Sequence, residues 1–338
     1  MECPVDAEIW IITGACNLDC IHCYAYRWRG KPELSLEEKL RIAREIGECG
    51  IDYVNISGGE PLITWHTRRV IDVLRDYNVE VTLVSNGTLV TRDWAEYLAK
   101  RDVHVFISVD GPREVHDAHR GRGSFDATMR GVRLLREAGV GFSFVMAVSR
   151  LNWRYTPDFV ELAVKMGAEK PILIPTMPFG KALENNVYVG AREYNEAVRR
   201  AAEKAAELGV RLHLWCSPFA YIALPPHLHP YVVVGFCRSA PVVDIDPQGR
   251  ILLCDVMDIV IGSVVGKSLR EAIIEAESHP LVREIFSPSK LPEACSTCPL
   301  RYSCMGGCFA RAMVLRGGLN NGDPLCPRIA SSSASVKP

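Results

Sequence analysis

From residue 7 to residue 175 the hydrophobic pattern keeps changing period. Short runs rich in β-branched residues predict strands: Glu8 to Thr13, Tyr53 to Ser57, Val79 to Ser85, Val103 to Val109, Gly141 to Val148 and Lys170 to Pro175. Between them Ser35 to Cys49, Thr64 to Tyr77, Thr91 to Lys100, Phe125 to Ala138 and Pro157 to Met166 repeat apolar residues every three and four positions, which predicts amphipathic helices. Ser35, with Glu38 three residues on, reads as a capping box. Strands alternating with helices build a parallel sheet, and such sheets carry their functional groups at the carboxyl ends of the strands. Four stretches fall there: "CNLDCIHC" after the first strand, "SGGEP" after the second, "SNG" after the third and "SVDG" after the fourth.

After Pro175 the rhythm changes. A turn-rich stretch with Pro178, Gly180, Asn185 and Asn186 leads to a long helix, Ala191 to Leu208, and then to Pro225 and Pro226. "VVDIDPQGRILLCD", from Val242, predicts two strands joined by a Pro-Gln-Gly turn. Cysteines then crowd "CSTCPLRYSCMGGC" at 295–308, and Cys326 follows.

The 338 residues allow one large domain or two smaller ones, and 48% hydrophobic with 23% charged residues is a globular balance. A net charge of -1 gives no basic field for nucleic acid or an acidic membrane. No apolar run is long enough to span a bilayer and the first residues lack a secretory pattern, so a cytoplasmic location is expected. In a reducing compartment the 13 cysteines read as metal ligands rather than disulfide partners, with Cys3 and Cys49 among a few small buried hydrophobes.

Cys16, Cys20 and Cys23 offer three thiolates where zinc would take four. His22 lies between two of them and is poorly placed to complete a zinc site. Three ligands on one iron-sulfur cluster leave one iron open. With "GGEP" at 58–61 the pattern resembles the radical S-adenosylmethionine (SAM) superfamily, whose CxxxCxxC motif is matched here with an aromatic residue, His22, before the last cysteine. The resemblance implies an α/β fold with a partial (β/α)6 TIM-like barrel. It further implies a [4Fe-4S] cluster on Cys16, Cys20 and Cys23, with SAM on the open iron, cleaved to a 5′-deoxyadenosyl radical that removes a substrate hydrogen atom. Gly58, Gly59, Glu60 and Pro61 then face the SAM amino group, and Ser85, Asn86, Ser108, Asp110, Arg120 and Asn152 match the family's looser SAM contacts. "HDAHR", with His116, Asp117 and Arg120, is read as a loop; Arg120 suits the SAM carboxylate, or pairs with Asp117 or another acid.

The second cysteine set resembles the SPASM extension of peptide-modifying members: Cys237, then Gly249 with Cys254, then Cys295, Cys298, Cys304, Cys308 and Cys326. That implies two auxiliary [4Fe-4S] clusters. One takes Cys295, Cys298, Cys304 and Cys326; the other takes Cys237, Cys254 and Cys308, with Cys216 or a substrate as fourth ligand. The clusters either carry electrons or bind substrate, or they only staple a small domain. Expected boundaries are 1–185 for the barrel, 186–236 for a linker and bridging helical region, 237–330 for a SPASM domain with a hairpin and helices, and 331–338 for a disordered tail. Asp255 matches an acid that accepts the substrate proton in sulfatase-maturing relatives, or it caps a turn. His227 and His229 are metal ligands or exposed polar residues.

Only 15 residues precede Cys16, too few for a peptide-recognition domain, so a peptide or protein substrate would bind at the barrel mouth, the 176–240 insertion or a separate partner. The tail "CMGGCFARAMVLRGG" with "DPLC" resembles two branches, maturases of the cofactor PQQ and haem-pathway enzymes that trim tetrapyrrole side chains. The first reading is a maturase of a peptide, protein or peptide-derived cofactor, with an electron donor such as ferredoxin or flavodoxin. The alternative is a tetrapyrrole side-chain decarboxylase or oxidase, which would need cavity cations such as Arg27, Arg29, Lys181 and Arg192.

Overall fold

The computed structural model describes residues 3–239 and 242–333. Eight strands run parallel and side by side: β1 (Ala7–Thr13), β2 (Tyr53–Gly58), β3 (Glu80–Ser85), β4 (His104–Ser108), β5 (Phe142–Val148), β6 (Pro171–Pro175), β7 (Leu212–Trp215) and β8 (Val232–Gly235). Beyond the other edge of β1, β9 (Val242–Ile245) pairs in parallel. The antiparallel β10 (Arg250–Leu252) and β11 (Val260–Ser263) follow, completing a sheet of 11 strands among the described residues.

The six expected strands are all present. Three more were not anticipated, because β7, β8 and β11 are only four residues each and β8 is embedded in proline-rich chain. The sheet therefore runs through the boundaries expected at 185 and 236. Residues 331–333 end the helix Pro327–Ser333, and the rest of the expected tail lies outside the described residues.

Helices α1 (Leu36–Glu48), α2 (His66–Asp76), α3 (Arg92–Lys100), α4 (Arg113–Arg120), α5 (Ser124–Glu137) and α6 (Thr156–Met166) fill the connections up to β6, and α7 (Lys181–Glu184) and α8 (Ala191–Glu207) the next. The Ser35–Glu38 capping box starts α1. One face of the sheet packs apolar side chains against the helices, as Trp10 and Ile12 do with Ile42, Ala43 and Ile46. The opposite face is more polar: Asn55 Nδ2 donates to Thr82 Oγ1 at 2.7 Å, and His104 Nε2 meets Ser143 Oγ at 2.9 Å. Near β1 that face is closed by Ala25, Trp28 and Leu252, which pack on Ile11.

Two expectations are corrected. "HDAHR" belongs to α4, not to a loop: the helix starts after Pro112, and its inward side buries His116 and His119. Cys3 and Cys49 are not separate hydrophobes but a disulfide with Cα atoms 5.0 Å apart. The chain entering β1 runs beside the end of α1, where Cys3 N donates to Cys49 O at 2.9 Å.

Candidate functional site

Every strand from β1 to β8 ends at the same edge, and the cysteine loop follows the first. Its start is fixed by Glu33, whose Oε1 accepts from Thr13 Oγ1 and Gly14 N, both at 2.8 Å. Cys20 is buried and Cys16 and Cys23 half-buried; all three are free thiols. Burial pushes the Cys20 thiol up to about 11, with Arg120 pulling the other way, and burial also raises Cys16. Three free thiols gathered on one short loop are a donor set that fits an iron-sulfur cluster with one iron left open.

Gly58 and Gly59 press against this loop. Their amide neighbours bond to it, Gly59 N to Thr13 O and Glu60 N to Ala15 O, both at 2.8 Å. A Cβ at Gly58 would lie 2.5 Å from Thr13 O and one at Gly59 2.3 Å from Ala15 O. The two glycines are thus required by the approach of the cysteine loop itself. Pro61 opens a short turn of 3-10 helix after Glu60 and is buried.

Glu60 is fully buried and accepts three hydrogen bonds: from Leu62 N (3.1 Å) and Ser85 Oγ (2.8 Å) on Oε1, and from Asn86 N (2.7 Å) on Oε2. Burial still lifts its pKa to about 7. Asn86 Nδ2 in turn donates to Asn17 Oδ1 at 3.0 Å, tying the end of β3 to the residue after Cys16. Asn17 was not singled out from the sequence, although it occupies a spacer position of the cysteine motif.

Past β4, Ser108 is half-buried and Asp110 fully buried. Asp110 accepts from Arg120 Nε at 2.6 Å and from Ala147 N at 3.1 Å, and His22 Nε2 lies 3.6 Å away. Burial works to raise the Asp110 pKa, but Arg120 and the histidines outweigh it and the pKa is lowered. Arg120 therefore pairs with Asp110, while Asp117 caps the next turn by accepting from Gly123 N (2.7 Å) and Phe125 N (2.8 Å). His22 is held neutral, its pKa pushed down to about 3 chiefly by burial. Asn152 spends its amide on backbone: Nδ2 donates to Ala147 O (2.9 Å) and Asp110 O (3.3 Å), and Oδ1 accepts from Ser149 N (2.6 Å). It braces the strand ends around Asp110.

The later cysteines gather into two sets. Cys295, Cys298, Cys304 and Cys326 line one narrow cavity with Phe219, Ile222 and Leu300. In the other, the thiol of Cys216 is pushed well up by burial and then by the neighbouring Cys308 and Cys237. That of Cys254 rises through burial, Asp255 and Asp244, with Cys237 and Cys308 adding to it. Cys216, reached only after 21 residues of chain before Cys237, comes to this set because it directly follows β7, beside β8. Each set offers four thiols and no disulfide among them, a donor group suited to a four-iron cluster.

Asp255 lies between the two ends of the chain. Tyr24 Oη, one residue after Cys23, donates to Asp255 Oδ2 at 2.8 Å, and Asp255 N donates to Asp244 Oδ2 at 2.7 Å. Burial raises the Asp255 pKa, with Tyr24 and Arg27 lowering it. Tyr24 and Asp244 were missed in the sequence, where nothing in the spacing links positions 231 residues apart. His229 bonds to Leu224 O at 3.1 Å and forms no metal-ligating group with other described residues.

A model of the radical SAM superfamily matches residues 10–163. Over 347 residues the chain is 30% identical to mycofactocin maturase MftC of Mycobacterium tuberculosis, covering 99% of this chain and 87% of that protein. Over 335 residues it is 27% identical to the AdoMet-dependent heme synthase of Methanosarcina barkeri, covering 94% and 95%. The fold matches that of native anSMEcpe with bound AdoMet and Cp18Cys peptide at a TM-score of 0.74 and 17% identity, over 98% of this chain and 99% of that one. With its three motif cysteines following β1 and the GGEP turn pressed against them, this chain belongs to the radical SAM superfamily.

Proposed function

We propose that this radical SAM enzyme is a maturase that removes a hydrogen atom from a peptide, a protein or a peptide-derived cofactor precursor. Bound to Cys16, Cys20 and Cys23, a [4Fe-4S] cluster supplies the electron that cleaves SAM. Around it Glu60, Ser85, Asn86, Ser108, Asp110 and Arg120 form the SAM cradle, with Asn152 bracing it and Gly58, Gly59 and Pro61 shaping its floor. Two auxiliary clusters occupy the later sets, with Cys216 completing the one on Cys237, Cys254 and Cys308. Asp255, hydrogen-bonded to Tyr24 beside Cys23, is the proton acceptor for the substrate. The electron donor is of the ferredoxin or flavodoxin class. The location is cytoplasmic, a compartment that keeps the 11 free cysteines reduced, with Cys3–Cys49 as the exception; no described helix is long and apolar enough to cross a membrane.

The state of the cations carries the choice of substrate. A tetrapyrrole with several carboxylates needs free cavity cations. Arg29 and Lys181 both pair with Asp19 and Arg192 is exposed, which leaves Arg27, whose hydrogen bonds go to the carbonyls of Asp255 (2.6 Å) and Val256 (2.7 Å), as a single cation for several carboxylates. The second reading, a tetrapyrrole enzyme, is favoured by the end-to-end match to the heme synthase. The test is to mix anaerobically reconstituted, reduced enzyme and SAM with size-separated lysate fractions and to quantify 5′-deoxyadenosine. Stimulation by a macromolecular fraction, abolished by protease, supports the maturase. Stimulation by small molecules alone supports the tetrapyrrole enzyme.

A further inference from the structure

Arg238 follows Cys237 and is buried, 6% exposed, at the junction of the two later cysteine sets. Its NH1 donates to Met305 O at 2.6 Å and its NH2 to Asn320 Oδ1 at 3.2 Å, and the guanidinium lies 5.7 Å from the Phe309 ring centre. None of these partners is a carboxylate. Its Nε–H is buried and has no hydrogen-bond partner. Thiols of both sets lie near it, Cys237 and Cys308 of one and Cys304 of the other, together with Asp323. A buried cation without an acid to pair it is costly, and so is a buried donor with nothing to donate to. Both costs vanish if an anion comes to lie there, and each cysteine set becomes anionic when loaded with iron and sulfide.

We propose that Arg238 is the electrostatic bridge between the two auxiliary clusters, its Nε–H donating to a cluster sulfur and its charge favouring the reduced form of both. This rests on the auxiliary-cluster reading above. Each cluster takes up one electron from a low-potential donor and becomes more negative by one charge. A fixed cation beside it stabilises that form, and hydrogen bonds to the sulfurs act in the same direction. The two sites are thereby tuned together by one side chain, which makes Arg238 a positioning and tuning residue rather than one that touches substrate.

The experiment is an anaerobic redox titration of the reconstituted enzyme with dithionite, followed by EPR, on wild type, Arg238→Gln and Arg238→Lys, with iron and sulfide counted in each. Losing a hydrogen bond to a charged group is expected to lower the equilibrium constant for reduction of an auxiliary cluster about tenfold, which is ~59 mV for a one-electron couple. In Arg238→Gln both auxiliary midpoints should become more negative by that order, while the cluster on Cys16, Cys20 and Cys23 keeps its own. Arg238→Lys, which keeps the charge and loses the Nε–H, should shift less. Unchanged auxiliary midpoints in Arg238→Gln at full iron content would overturn the proposal. If that variant loses iron, Arg238→Lys decides: a negative shift supports the bridge and no shift overturns it. Wild type binding only four irons would overturn the auxiliary-cluster reading itself.

Discussion

The two cysteine-bearing ends of the molecule are built in opposite ways. The loop with Cys16, Cys20 and Cys23 is fastened by polar contacts that need no iron: Glu33 holds Thr13 and Gly14, Glu60 spans to the end of β3, and Asn86 holds Asn17. It rests on a continuous parallel sheet. The stretch from Cys295 to Cys326 has instead helical turns of three, four and eight residues, Glu293–Cys295, Arg301–Cys304 and Phe309–Arg316. Helices so short are marginal on their own, and the cavity beside the first two holds four thiols among its lining residues. On the auxiliary-cluster reading proposed above, iron is a cofactor placed on a finished scaffold at the first end and a part of the scaffold at the second.

The sharpest break in that comparison comes from deleting ligands. Cys16→Ala, Cys20→Ala and Cys23→Ala together should abolish reductive SAM cleavage, read as 5′-deoxyadenosine, while thermal unfolding of the barrel stays within about 1 kcal/mol of wild type. Residual cleavage would show that the radical cluster is assigned to the wrong thiols. Removing all iron with a chelator is the complementary test. Hydrogen exchange in 295–326 should approach that of an unfolded chain, whereas β1 to β6 keep their protection. Equal loss at both ends would erase the distinction.

The barrel end has its own weak point, and it is titratable. Glu8 on β1 is fully buried and neither carboxylate oxygen has a partner, so burial lifts its pKa from 4.5 to about 8. In the unfolded chain the group ionises near its ordinary value. Because the folded pKa is the higher one, the folded state binds the extra proton, and stability falls as pH rises from about 4.5 towards 8. The loss is at most about 5 kcal/mol for such a shift. Glu8→Gln mimics the protonated acid, so it should melt like wild type at pH 5 and increasingly above it as pH approaches 8. A constant difference between the two melting temperatures would remove Glu8 as the cause.

The sequence revealed most where local pattern and chemistry agreed. The six strands from Glu8 to Pro175 and the cap at Ser35 were legible because periodicity and capping are local, and the cysteine motifs because their spacing is distinctive. What escaped depends on folding. The contact of Tyr24 with Asp255 and that of Asn17 with Asn86 join residues brought together only by the sheet. Strands β7 and β8 escaped because four residues carry too little alternation to recognise. Cys3 and Cys49 misled because composition argued for free thiols, whereas pairing depends on the distance between two chain segments.

The smallest of the expected effects tests how the first end was made ready without iron. All three groups facing the Glu60 carboxylate are donors, Leu62 N, Ser85 Oγ and Asn86 N. In Glu60→Gln one of the two oxygens becomes an NH2, and it cannot accept. Ser85 can turn its hydroxyl, because Oγ also accepts from Gly87 N at 2.9 Å and is a rotor. The backbone N–H of Asn86 cannot turn, and with the NH2 towards it a buried donor loses its acceptor at a cost of about 1–3 kcal/mol. That cost should appear in thermal unfolding of the iron-free protein at pH 8. It should be nearly the same in the iron-loaded protein, since none of the three donors is a cluster ligand. A cost seen only after reconstitution would mean that Glu60 is organised by the cofactor, and the contrast between the two ends would then be one of degree.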